Sequence, residues 1–192
     1  MLQSELLKRV IDVLNKNGID YMITGSIASS LHGIPRSTHD IDIIVMLSKK
    51  DIAVFIQSFQ TPEFYIDEQS IIDAMKYKSM FNLIHLKEGD KVDFWILTES
   101  DFDTTRFSRK YEEKISDIKV KVSTPEDTIL SKLQWAKLSD GSERQLYDAT
   151  RVYEIQYHKL NISYIEQWVK KLQLTKYWNQ LLKISQDESE SR

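Results

Sequence analysis

The chain has 192 residues, of which 41% are hydrophobic and 29% charged, with a formal net charge of -3. This composition predicts one globular domain, or one core domain with a small appendage, and argues against broad nucleic-acid binding. The absence of cysteine excludes disulfides, cysteine-zinc sites and cysteine nucleophiles, and is compatible with a reducing cytoplasm. The N-terminal segment is amphipathic and charged throughout, so we predict neither a signal peptide nor a membrane span.

Hydrophobic periodicity predicts alternating helices and strands over the first 122 residues. Gly18 ends the first helix, Ser48 caps the third, and Glu88-Gly89-Asp90 forms the turn of a β-hairpin. The predicted helices span residues 2–17, 26–33, 49–59 and 68–77, with a weakly patterned one over 99–110. The predicted strands span residues 19–24, 40–47, 63–66, 79–86, 91–97 and 117–122.

The second half of the chain is predicted to be helical. Thr124 is a favourable N-cap and Pro125 suits the first helical position. The predicted helices span residues 124–138, 143–157, 162–172 and 175–184. We therefore predict an α+β fold, in which a mixed β-sheet flanked by helices (residues 1–122) precedes a C-terminal helical lobe (123–186) and a disordered tail (187–192).

Charge is distributed unevenly along the chain. Residues 1–104 carry a net charge of -6, and residues 105–183 carry +5. Such asymmetry can arise by chance. Its functional interpretation is an acidic, metal-binding core followed by a basic lobe that accepts phosphates.

The segment from residue 23 to residue 45 contains paired carboxylates. Asp40 and Asp42 lie two residues apart on a predicted strand, so both side chains share one face, and Ile41 and Ile43 share the other. Neighbouring carboxylates repel each other and are costly to bury without a positive partner. A divalent metal is the usual partner, and oxygen ligands suit Mg²⁺.

The same segment contains a candidate phosphate site. Gly25 permits a tight turn, and Ser26 begins a helix whose free N–H groups and positive dipole attract an anion. Arg36, in the loop between this turn and the carboxylate strand, is a candidate anion contact. His39 is interpreted as structural, because on the strand it points away from the carboxylate face.

These residues carry a family resemblance. Thr24-Gly25-Ser26, followed after thirteen residues by Asp40-Ile41-Asp42-Ile43, resembles the signature of the DNA-polymerase-β-like nucleotidyltransferase superfamily. The resemblance implies the nucleotidyltransferase fold, a nucleoside triphosphate such as ATP, and two Mg²⁺ ions, with Mn²⁺ as a substitute. It also implies a third carboxylate on a neighbouring strand, for which Asp93 is the candidate and Asp90 the alternative.

The helical half resembles the bacterial group that includes the AbiEii-type abortive-infection toxins. The match consists of Ser123-Thr124-Pro125-Glu126-Asp127, the lysines Lys132 and Lys137, and Asp148 on the following helix. The resemblance implies that Lys132 and Asp148 help to bind the nucleotide, and that an antitoxin is a candidate partner. Alternatively, both lysines belong to a solvated helix face, and Arg144 with Asp148 forms a simple helix ion pair.

The resemblance implies two-metal transfer of a nucleoside monophosphate from a triphosphate to an acceptor hydroxyl. The acceptor would be an RNA or tRNA end, or a protein side chain, in the cytoplasm and without a membrane partner. One alternative is an antibiotic-type small-molecule nucleotidyltransferase. The other is a non-catalytic nucleotide-binding regulatory module, against which the intact carboxylates argue. Trp135 and Tyr147 are candidates to stack on a base.

Overall fold

The computed structural model describes residues 3–38, 40–115 and 117–190. The expectations for Leu2, His39 and the last two residues of the predicted tail lie outside these ranges. The chain forms two compact units: unit 1 contains residues 1–24 and 38–122, and unit 2 contains residues 25–37 and 123–192. The segment 25–37, which the sequence-based boundaries place in the first part of the chain, belongs to unit 2.

Unit 1 is built on a seven-stranded mixed sheet with four helices among the described residues. The strands are β1 (Asp20–Ile23), β2 (Asp40–Met46), β3 (Phe64–Tyr65), β4 (Met80–His85), β5 (Lys91–Ile96), β6 (Tyr111–Ile115) and β7 (Ile118–Val122). The helices are α1 (Gln3–Lys16), α3 (Lys49–Ser58), α4 (Glu68–Tyr77) and α5 (Asp101–Ser108), while α2 (Gly25–His32) belongs to unit 2.

The strand order is β3-β4-β5-β2-β1-β7-β6. β2 pairs with β5, and β1 with β7, in parallel, whereas the remaining neighbours are antiparallel. The predicted β4–β5 hairpin is confirmed. The sequence-based prediction missed β6, because this edge strand is largely polar and partly exposed and so lacks the apolar alternation of a half-buried strand.

The two faces of the sheet differ in character. One face is apolar and includes Ile41, Ile43 and Phe94, which are fully buried. Phe55 from α3 packs against this face, with its ring centroid 5.0 Å from that of Phe94 and 5.3 Å from that of Phe81. Edge-to-face aromatic packing therefore covers this side of the sheet.

The opposite face of the sheet is apolar at one end and carries charged side chains at the other. At the apolar end, Met22 and Ile44 pack against Phe107 of α5. At the other end, the alternation of β2 brings Asp40 and Asp42 to this same face. Asp40 is exposed and Asp42 is half-buried, so both carboxylates retain access to solvent.

Unit 2 contains α2, α6 (Pro125–Leu138), α7 (Glu143–Gln156), α8 (Ile162–Lys171) and α9 (Thr175–Glu190), with a 3₁₀ turn at Tyr157–Lys159. Thr124 caps α6 as predicted, because its side chain accepts a hydrogen bond from the Asp127 N–H and Pro125 follows it. The basic residues between 105 and 122 belong to unit 1, so they are not part of a basic helical lobe.

The end of α9 differs from the predicted disordered tail. The helix continues through Asp187 to Glu190. The segment contains neither glycine nor proline, so it has no strong helix breaker. No helix among the described residues is long and apolar enough to cross a bilayer.

Gly33, just after α2, allows a close approach to α7. A Cβ atom added at Gly33 would lie 2.9 Å from the Ser29 carbonyl oxygen and 3.1 Å from the Val152 backbone nitrogen. Since backbone atoms cannot rotate away, we expect Gly33→Ala to lower the free energy of unfolding by about 1–3 kcal/mol. Urea unfolding measures this loss, and an unchanged midpoint would show that the α2–α7 contact is not tight.

Candidate functional site

Three carboxylates lie on neighbouring strands in unit 1. Asp40 and Asp42 are in β2, and Asp93 in β5 is the direct partner of Asp42 in the parallel pairing. Lys91 is the corresponding partner of Asp40. The side chain of Asp40 is 58% exposed, whereas that of Asp93 is only 10% exposed. The structure therefore brings the three predicted acids to the same end of two adjacent strands.

The alternative third acid has a different position. Asp90 lies in the turn before β5, where its backbone carbonyl accepts a hydrogen bond from the His85 N–H at 2.9 Å. Asp93 lies within the strand, directly beside Asp42. The strand register therefore favours Asp93 over Asp90 as the third carboxylate.

Each of the three acids on β2 and β5 has polar neighbours that the sequence analysis did not identify. The Lys91 Nζ lies 3.0 Å from the Asp93 Oδ2 and 3.8 Å from the Asp40 Oδ1. Asn82 of β4 donates a hydrogen bond to the Asp93 Oδ1, and the Trp95 Nε1 lies 3.4 Å from the Asp42 Oδ1. Lys91 and Trp95 could have been found by alternation two residues either side of Asp93, but Asn82 required the β4–β5 register.

The electrostatics of this cluster favour a cation. Three carboxylates and one ammonium leave a formal surplus of negative charge, and carboxylate oxygens are the ligands that Mg²⁺ prefers. A hydrogen bond to Asp93 raises the pKa of Lys91 above its ordinary value, despite the opposing effect of partial burial. Among the described residues, no group of three or more histidine, aspartate or glutamate side chains is arranged to hold a metal ion. The donors thus fit Mg²⁺ in type and charge, but the side chains would have to rearrange to bind it.

A second charged cluster lies within unit 2. Gly25 has a φ of +62°, which favours glycine, and it begins α2. Ser26 follows, and its Oγ accepts a hydrogen bond from the Arg36 Nη2 at 2.7 Å. The guanidinium of Arg36 also donates to both carboxylate oxygens of Asp148, at 3.0 Å and 2.8 Å. The Lys132 Nζ donates to the Asp148 Oδ2 at 2.8 Å.

Burial distinguishes Lys132 from the surface lysine Lys137. The side chains of Lys132 and Asp148 are only 5% and 4% exposed, so the interpretation of Lys132 as part of a solvated helix face is wrong. Lys137 is exposed and contacts the Leu172 carbonyl oxygen at 3.2 Å. Asp148 pairs with Arg36 and Lys132, whereas Arg144, its alternative partner, is exposed.

The unit 2 cluster has a formal surplus of positive charge, because Arg36 and Lys132 share one carboxylate. Burial raises the pKa of Asp148, but hydrogen bonds from Arg36 and Lys132 outweigh burial and lower this pKa below its ordinary value. Asp148 therefore stays ionised and fixes the direction of both cations. The side chain of Arg36 is 22% exposed, so it is less deeply buried than Lys132 and Asp148.

The two aromatic residues considered for base stacking are both partly exposed. Trp135 is 44% exposed and Tyr147 is 49% exposed. The guanidinium of Arg151 lies 4.9 Å from the centre of the Tyr147 ring. Neither ring is therefore part of the buried core of unit 2.

Solved structures with similar folds include an antibiotic adenylyltransferase and a nucleotidyltransferase-like protein. The structure of ANT(2'')-Ia in complex with adenylyl-2''-tobramycin gives a TM-score of 0.60 at 11% identity, covering 92% of this chain and 99% of that chain. The lincomycin-bound lincosamide antibiotic adenylyltransferase LnuA gives 0.55 at 16% identity, covering 81% and 98%. An antigenic nucleotidyltransferase-like protein from Paracoccidioides brasiliensis gives 0.52 at 16% identity, covering 96% and 89%.

No protein-family model and no curated protein matches the chain. At identities this low, the structural likeness shows the fold alone. The chain thus has the predicted nucleotidyltransferase fold, with a seven-stranded mixed sheet and C-terminal helices.

Proposed function

We propose that this protein is a Mg²⁺-dependent nucleotidyltransferase that moves a nucleoside monophosphate from a nucleoside triphosphate to an acceptor hydroxyl. The observation that carries the proposal is the register of β2 and β5, which places Asp42 beside Asp93 with Asp40 on the same face. Such a carboxylate set with surplus negative charge is the arrangement that phosphoryl-transfer chemistry requires around its metal ions. The shared fold supports this assignment.

Asp40, Asp42 and Asp93 would hold two Mg²⁺ ions. When bound, these ions would supply Lewis-acid stabilisation of the triphosphate and a lowered pKa for the acceptor hydroxyl. Asp93 is the acid that orients this hydroxyl and accepts its proton. Asn82 keeps the Asp93 carboxylate in place through its hydrogen bond to Oδ1.

The residues of unit 2 bind the phosphates in this proposal. The free N–H groups at the start of α2 and the hydroxyl of Ser26 hold the β- and γ-phosphates, and Arg36 adds positive charge. Lys132 also contributes to phosphate binding, because Arg36 and Lys132 carry two positive charges and Asp148 neutralises only one of them. The acceptor oxygen then bonds to the α-phosphorus, the bond to the pyrophosphate oxygen breaks, and pyrophosphate leaves.

The acceptor is an RNA or tRNA end, or a protein side chain. The reaction takes place in the cytoplasm. An antitoxin is the partner that the toxin-like assignment implies. A small-molecule acceptor is the second candidate. It is favoured by the structural likeness to ANT(2'')-Ia with adenylyl-2''-tobramycin and to lincomycin-bound LnuA. Each acceptor class predicts a different labelled product.

Label transfer tests the proposal directly. The protein is incubated with each α-³²P nucleoside triphosphate and Mg²⁺, in separate reactions with total RNA, with a cell protein extract, and with tobramycin and lincomycin. We expect label on one acceptor class, pyrophosphate release, and loss of both with EDTA. Mn²⁺ should restore the reaction, because it accepts the same oxygen ligands.

The result that contradicts the proposal is the absence of transfer with every nucleotide and acceptor, in both Mg²⁺ and Mn²⁺. If labelled nucleotide is nevertheless retained on the protein, the non-catalytic nucleotide-binding module becomes the better assignment.

A further inference from the structure

Lys91 places a positive charge among the carboxylates of unit 1. It precedes Asp93 by two residues on β5, so both side chains point to the same face, and it is the register partner of Asp40. Its Nζ lies 3.0 Å from the Asp93 Oδ2 and 3.8 Å from the Asp40 Oδ1. The ammonium thus bridges two of the three acids to which the proposed function assigns metal binding.

An ammonium and a divalent cation compete for such a position. Both need the same carboxylate oxygens, and two positive charges held a few ångströms apart repel each other strongly. The ammonium already lies against one oxygen of each carboxylate, Oδ2 of Asp93 and Oδ1 of Asp40. A cation that binds to Asp93 Oδ2 must therefore either displace the Lys91 Nζ or bind more weakly beside it.

Lys91 is able to move, and Asp93 is held independently of it. The Lys91 side chain is 35% exposed, so its long aliphatic stem can swing the ammonium into solvent. Asn82 donates to the other oxygen of Asp93 and does not depend on Lys91. The carboxylate therefore remains oriented when the ammonium leaves.

We propose that Lys91 is a built-in counter-ion that neutralises the carboxylate cluster in the metal-free protein and is displaced when a divalent cation binds Asp93. This inference rests on the metal binding in the proposed function. It assigns to Lys91 a positioning role: the lysine keeps the acids together before the metal arrives and lowers the affinity of the site for that metal.

The test compares Mn²⁺ binding by wild type and Lys91→Met, measured from the electron paramagnetic resonance signal of free Mn²⁺. Methionine keeps an unbranched apolar stem and removes the charge. We expect Lys91→Met to bind Mn²⁺ roughly three- to tenfold more tightly than wild type. Lys91→Arg, which retains the charge, should bind like wild type.

Lys121→Met is the matched control. The Lys121 Nζ forms a slightly shorter ion pair, 2.7 Å from the Asp20 Oδ1, in the same sheet but away from Asp93. This control should leave Mn²⁺ affinity unchanged. A gain in affinity of the same size in both variants would mean that net charge alone matters, and it would overturn the counter-ion role.

Thermal unfolding gives a second readout, the rise in melting temperature caused by Mn²⁺, which the loss of a purely structural lysine would not change. In EDTA, Lys91→Met should melt below wild type, because the acids then lack their counter-ion. Saturating Mn²⁺ should raise the melting temperature of Lys91→Met by more than that of wild type. Equal Mn²⁺ affinities for both proteins, or no Mn²⁺ binding by either, would overturn the inference.

The two proposals fail in different ways. If wild type transfers no nucleotide but Lys91→Met still binds Mn²⁺ more tightly, the counter-ion role stands and the proposed enzymatic function does not. If wild type transfers nucleotide while both proteins bind Mn²⁺ equally, the function stands and the counter-ion role does not.

Discussion

Asp42→Asn is expected to abolish nucleotide transfer while the fold persists. The substitution keeps the size of the side chain and removes one of two charges that lie side by side on β2 and β5. Losing a residue that merely orients a metal ligand costs 10- to 100-fold in metal affinity or activity, so loss of a direct ligand should lower kcat/KM by more than about 100-fold. Label transfer under initial-rate conditions measures the loss.

The stability of Asp42→Asn should move in the opposite direction. Because the substitution relieves repulsion between neighbouring carboxylates, the melting temperature in EDTA should stay the same or rise. Asp90→Asn is the matched control, since Asp90 lies in the turn before β5 and not beside Asp42. Near-wild-type transfer by Asp42→Asn, or equal losses in both variants, would contradict the assignment of the metal ligands.

Asp148→Ala is expected to lower the free energy of unfolding by about 3–5 kcal/mol, which is typical of removing one partner from a buried ion pair. The Lys132 side chain is 5% exposed and would keep its charge without the carboxylate at 2.8 Å. Arg36 is less affected because it is 22% exposed and can reach solvent. Urea unfolding measures the loss, and a change below about 1 kcal/mol would show that Lys132 reaches water in solution.

Two further variants show whether the buried charge of Lys132 causes the loss of stability expected for Asp148→Ala. Lys137→Ala removes an exposed lysine from the same helix and should change stability by less than about 0.5 kcal/mol. Adding Lys132→Met to Asp148→Ala removes the buried ammonium, so the double variant should regain part of the loss. If the double variant is less stable than Asp148→Ala alone, burial of the lysine charge is not the reason.

The ion pairs of Asp148 with Arg36 and Lys132 also predict how the free energy of unfolding depends on pH. The pKa of Asp148 is lower in the folded protein than its ordinary value, because Arg36 and Lys132 outweigh burial. Its stabilising contribution is therefore fully present above the unfolded pKa of about 3.9, and is lost as pH falls through the lower folded pKa. The stability difference between wild type and Asp148→Ala should shrink over that acidic range and remain constant near neutral pH.

The sequence by itself determined the features that depend on short-range geometry. The shared face of Asp40 and Asp42 follows from the two-residue period of a strand. The start of α6 at Thr124-Pro125 follows from capping chemistry, and the turn at Gly25 from the conformational freedom of glycine. The predicted helices and strands appear within a few residues of their predicted ends, apart from the unpredicted β6 and the longer α9.

Only the tertiary structure decided which charges meet. Arg36 and Asp148 are 112 residues apart in the chain, so no local period could show that they pair or that Lys132 is buried against the same carboxylate. Likewise, the position of Asp93 beside Asp42 depends on which strands pair and in which register. Strand pairing and burial are set by packing between distant segments, whereas periodicity and capping depend on residues only a few positions apart.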